Sequence, residues 1–170
     1  NVPETYIYLD DIFEGIDISG QKLINNRMHT HLFIDDAALD EEIYDLIKPR
    51  EDRFVIYRKE ETPEHWHYRY SERIGDYFLV AEPGHYFTTR EKQTSNTFDG
   101  RVRGDHGFDP YITPEMGAIF YAQGPNIKQG AEVPKFNNVH VYPLITEILG
   151  INPPTSIDGK LAVLNAILKD

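Results

Sequence analysis

The sequence predicts an α/β fold, and three stretches carry that prediction. Gly117-Ala118-Ile119-Phe120-Tyr121-Ala122 is apolar throughout, as expected of a strand buried on both faces of a parallel sheet. Leu39, Ile43, Leu46 and Ile47 fall at i, i+4, i+7 and i+8, the stripe of an amphipathic helix. Residues 29–82 read as strand, helix, strand, strand with short connections, the pattern of a small helix-backed sheet beside a main one.

In chain order, Tyr6-Ile7-Tyr8-Leu9 is a short strand, ended by Asp10-Asp11 before a loop containing Gly15 and Gly20. His31-Leu32-Phe33-Ile34 is the next strand. Asp35 or Asp36 caps the helix that follows, Asp40, Glu41 and Glu42 complement its dipole, and Lys48-Pro49 close it. Phe54-Val55-Ile56-Tyr57 and Tyr77-Phe78-Leu79-Val80-Ala81 are two further strands. Residues 88–103 are threonine-rich and charged without apolar period, an exposed loop. Gly124-Pro125-Asn126 makes a turn after the apolar strand. Asn137 or Asn138 caps a helix that accepts Pro143 in its first turn and stops at Gly150. After the rigid Pro153-Pro154, a final helix presents Leu161, Leu164, Ile167 and Leu168.

The 170 residues suffice for about one domain. A formal charge of -11 argues against duplex nucleic acid or an anionic membrane as partner, because nothing offsets the repulsion. A small phosphate ester stays compatible, since a bound dication inverts the local field. With no cysteine there is no disulfide or thiolate chemistry. No apolar run reaches the roughly 18 residues of a membrane span.

The chemistry concentrates in Gly104-Asp105-His106-Gly107-Phe108-Asp109. Glycines beside an imidazole let backbone and ring approach an ion, and Asp105 or Asp109 is placed to orient that ring. By itself such a loop is more often structural. His65 and His67 flank Trp66, and His29 and His31 share the same spacing; on strands each pair would share one face, yet packing and hydrogen bonding are the better reading. His85 beside Gly84 is a candidate for a site rim, and His140 for a structural hydrogen bond.

The loop, together with Ala118-Ile119-Phe120-Tyr121-Ala122-Gln123-Gly124-Pro125, resembles the last part of the catalytic domain of nucleotide pyrophosphatases/phosphodiesterases (type I phosphodiesterases), in the alkaline phosphatase superfamily. Pro63-Glu64-His65-Trp66-His67-Tyr68-Arg69 and Leu79-Val80-Ala81-Glu82-Pro83-Gly84 extend the likeness. The resemblance implies the C-terminal half of an alkaline-phosphatase-like domain, mostly parallel sheet with flanking helices. Residues 29–82 would form an inserted small sheet, and 101–151 the metal loop, a strand and a helix.

It further implies a two-zinc hydrolase of phosphodiester or pyrophosphate bonds, with a threonine nucleophile and with His106 as a ligand of the zinc that supplies the attacking water. The superfamily also has an Asp-His metal motif that Asp105-His106 could imitate. That motif precedes the inserted sheet, whereas Asp105-His106 follows it. The family's Asp-x-x-x-His ligands are missing here: the residues four before the seven histidines are Asn25, Arg27, Glu61, Pro63, Ala81, Val102 and Phe136. No threonine matches the nucleophile's context. The expectation is a C-terminal portion of a longer enzyme, inactive alone, partnered by the N-terminal half of its domain and acting on a small phosphodiester or nucleotide outside the cytoplasm. The alternatives are a phosphomonoesterase or phosphonate hydrolase of the same superfamily, or a metal-free accessory domain.

Overall fold

The computed structural model describes residues 5–94 and 106–169, and divides the chain into two units, Asn1–Gly117 and Ala118–Asp170.

The first unit is mixed α/β, as its sequence predicts. Strand β1 (Thr5–Tyr8) runs into a single helical turn, α1 (Leu9–Ile12). β2 (Lys22–Asn25) and β3 (His29–Phe33) form a hairpin, and α2 (Ala37–Ile47) leads through a 3-10 turn at Lys48–Arg50 to β4 (Phe54–Arg58). β5 (Tyr77–Ala81), β6 (His85–Thr88) and a short α3 (Arg90–Thr94) complete it. β2, β3, β5 and β4 lie in that order in an antiparallel sheet, whereas β1 and β6 pair in parallel, Tyr6 opposite Tyr86. The described part of the predicted 88–103 loop therefore begins as strand and helix. Gly104 and Asp105 lie outside the described residues.

Strand alternation sorts the four-stranded sheet into two chemically different faces. One face carries Leu32, Phe54, Ile56, Tyr77, Leu79 and Ala81, which pack with Ile43 and Ile47 of α2 in an aliphatic-rich core. Leu46, on the predicted stripe, is 40% exposed. The opposite face carries His31, Tyr57 and Phe78, and the β4–β5 connection folds over it. Trp66 meets Tyr57 and Phe78 edge-on at 5.6 and 6.1 Å between ring centres, and Tyr68 meets Phe78 at 5.3 Å.

The second unit contains α4 (Val141–Leu149), introduced by a 3-10 turn at Asn138–His140. Pro143 sits in its first turn, and Gly150 ends it in the left-handed region at φ 65°, where a side chain would be strained. Leu144 packs with Leu164 and Ile167, with Phe120 and Phe136 at the margin.

Two expectations fail in this unit. Gly117–Ala122, from the last residue of the first unit into the second, forms no strand, with Ile119 97% and Tyr121 81% exposed. Apolar composition fits a strand for burial, but a strand also needs a neighbour's N–H and C=O groups, and no described strand pairs with it. The final helix is instead two 3-10 turns, Leu161–Val163 and Asn165–Ile167. Leu164 and Ile167 still reach the core, while Leu168 bridges Ile127 in an antiparallel contact that a continuous helix would break.

Candidate functional site

His106 is exposed at the head of a loop that three successive residues tie to the first unit. Gly107 adopts φ 113°, a conformation in which any side chain is strained, and it lies against the Met28 methyl, which would stand 2.6 Å from an added Cβ. Phe108 lies parallel to the buried Tyr86 ring of β6 at 6.4 Å.

Asp109 makes the third attachment. Its side chain is 6% exposed. Oδ2 accepts the Trp66 indole N–H at 2.8 Å and faces His65 Nε2 at 2.8 Å, and Oδ1 accepts the Tyr111 amide at 2.8 Å. The Asp109 carbonyl accepts the amides of Ile112 and Thr113, closing a tight turn through Pro110. Burial works to raise the Asp109 pKa, but the donors from Tyr111, Trp66 and His65 outweigh it and hold the carboxyl below its ordinary value.

The remaining histidines separate cleanly. Residues Glu64–Trp66 form a 3-10 turn and His67 is left-handed, so His65 and His67 are not strand neighbours and share no face. His65 belongs to Asp109. His31, 6% exposed, accepts the Gly75 amide on Nδ1 at 3.2 Å and faces the Tyr68 hydroxyl through Nε2 at 3.2 Å. Burial, with a smaller contribution from His29, pushes its pKa down to about 4. His85 is 7% exposed and bonds Arg53 at 3.0 Å, so it is a core contact and not a rim residue. His140 accepts the Lys160 amide at 3.0 Å, the structural role its position suggested.

Of Asp105 and Asp109, the two carboxylates the sequence offers to orient the His106 ring, only Asp109 is among the described residues. The geometry gives its carboxylate to Trp66, His65 and Tyr111 instead, and a separation of 43 residues between Asp109 and Trp66 leaves no periodic signal.

The sequence profile of the type I phosphodiesterase / nucleotide pyrophosphatase family matches residues 4–109. The chain belongs to this family.

Among its relatives, ectonucleotide pyrophosphatase/phosphodiesterase family member 7 of Rattus norvegicus is 33% identical over 138 residues, covering 81% of this chain and 30% of that protein. Bis(5'-adenosyl)-triphosphatase enpp4 of Xenopus laevis is 35% identical over 109 residues, 64% of this chain and 22% of its own length. Human ectonucleotide pyrophosphatase / phosphodiesterase 5 superposes with a TM-score of 0.78 at 25% identity, covering 97% of this chain and 41% of that one. An inactive variant of the murine protein in complex with AMP gives 0.76 at 27% identity, over 96% of this chain and 41% of that chain. This chain thus spans well under half the length of these relatives, and family membership makes it part of a hydrolase lineage whose relatives are phosphodiesterases and pyrophosphatases.

An imidazole nitrogen is an ordinary zinc donor, but a catalytic zinc site takes about three protein ligands. Among the described residues no group of three or more His, Cys, Asp or Glu side chains is placed to hold a metal ion. His106 therefore fits as one donor, not as a site.

Proposed function

We propose that this chain is the C-terminal portion of the catalytic domain of a zinc-dependent phosphodiesterase or nucleotide pyrophosphatase. Residues 29–82 are its inserted small sheet, and residues 101–151 its metal loop and following segment. The observation that carries the reading is His106: an exposed imidazole held at the head of an anchored loop, in a chain of this family. Relatives that act on a bis-adenosyl triphosphate or bind AMP favour a nucleotide or another small phosphodiester as substrate.

In this reading the complete enzyme carries two zinc ions, one of them ligated by His106. Zinc would supply stabilisation of phosphoryl oxygens and a water ionised near neutral pH. The chain's own contribution would be one imidazole nitrogen, carried on a backbone that contacts to Met28, Tyr86 and Trp66 restrain. The threonine nucleophile and the other ligands belong to the N-terminal half of the domain. Two features fit such a partner: the unpaired apolar segment Ala118–Ala122, and the outer face of α4, where Tyr142, Ile145 and Leu149 are 48%, 47% and 63% exposed. An α-helix apolar on both faces belongs between two layers. Alone, the chain would not hydrolyse substrate.

The test is hydrolysis of a chromogenic phosphodiester by the complete protein, with the corresponding monoester as control. Diester turnover that falls by orders of magnitude on His106→Ala is the expected result. Turnover confined to the monoester points to the phosphomonoesterase alternative, and no turnover of either, without bound zinc, to the accessory-domain reading.

A further inference from the structure

We infer that Asp109 is a positioning residue: it latches the His106 loop to the sheet through the Trp66 indole, and sets where His106 stands without touching substrate. Trp66 is the natural anchor for such a latch. Its ring is wedged against Tyr57 of β4 and Phe78 of β5, so the N–H that reaches Asp109 is fixed by two adjacent strands. On the other side of the bond, Asp109 organises its own backbone, with Oδ1 taking the Tyr111 amide and its carbonyl the amides of Ile112 and Thr113. One buried carboxylate therefore joins a rigid sheet to a turn three residues from His106.

His65 closes the arrangement from the solvent side. Its ring stands edge-on to Tyr111 at 4.6 Å and covers the carboxylate while bonding to it. A carboxylate buried to this degree needs its oxygens occupied, so breaking the bond to Trp66 in place would leave a buried charge short of a donor and an indole N–H without an acceptor. Gly107 against Met28 and Phe108 against Tyr86 complete the seating, but both are apolar contacts without a fixed direction. The hydrogen-bonded latch supplies the register.

The latch stands on these contacts; its consequence for zinc rests on the reading of His106 given above. The experiment separates the two. In this 170-residue chain Trp66 is the single tryptophan, so one indole N–H resonance reports the bond. Asp109→Ala and Trp66→Phe are expected to lower the backbone order parameters of Gly107 and Phe108 from about 0.85 to below about 0.6, with β4 and β5 unchanged. Asp109→Ala also accelerates indole exchange. Unchanged order in the loop overturns the inference, and if Asp109→Ala unfolds the chain, Trp66→Phe decides.

In the complete protein, release of zinc to a chelator is measured for His106→Ala, Asp109→Ala and Trp66→Phe. The expected order is loss of the ion for the first and release faster by about tenfold or more for the second, with a smaller effect in the third. Zinc lost by His106→Ala but held normally by Asp109→Ala contradicts the positioning role. Zinc fully retained by His106→Ala removes the metal reading instead, and leaves the loop's order parameters to decide the latch.

Discussion

Burial disfavours the charge of both Asp109 and His31, and their partners decide whether it prevails. Three donors converge on Asp109 and hold its carboxyl below the ordinary value, whereas burial, with a smaller contribution from His29, pushes the His31 pKa down. The His31 pKa of about 4 lies below its ordinary 6.5, so in the interval between them the unfolded chain binds the proton first. Stability from His31 is thus fully present above about pH 6.5, declines as the pH falls, and is gone below about pH 4. The full effect is on the order of 3 kcal/mol. Urea midpoints measured from pH 7.5 to 4 should fall along this curve and flatten in His31→Gln; an equal slope in both proteins would refute it.

Elements were legible where local pattern and tertiary demand agree. α2 follows from Leu39, Ile43 and Ile47, and β4 and β5 from their aliphatic and aromatic runs, because these residues meet the core they need within the same unit. β2 and β6 are less legible: Lys22–Asn25 and His85–Thr88 are short and half polar, and partner strands define them. Gly117–Ala122 is the converse case, since its composition suits a buried strand and no described strand pairs with it. α4 gives the direct check. In this chain Leu144→Ala, at 3% exposure, should cost about 2–5 kcal/mol, whereas Ile145→Lys should stay within about 0.5. In the complete protein Ile145→Lys should cost more than about 1 kcal/mol, because that face would be covered. Equal thermal shifts for Ile145→Lys in the two settings would contradict the docking of the missing half there.

At the scale of the whole molecule, the proposed function gives the chain one metal ligand on a folded scaffold. His106 could be singled out from its glycine-bordered loop and the resemblance of the segment after it. The loop's attachment to Trp66 could not, because it spans two elements that sequence order keeps apart. Within the described residues no helix is long and apolar enough to cross a membrane, and no cluster of three metal-binding side chains exists. Under the proposed function, catalysis would draw on further residues of the complete protein, with His106 as the contribution of this chain. The zinc content of the complete protein, purified with and without His106→Ala, tests this most directly. Two equivalents per chain are expected in the parent, with at least one lost in the variant; two equivalents retained in the folded variant would contradict ligation by His106.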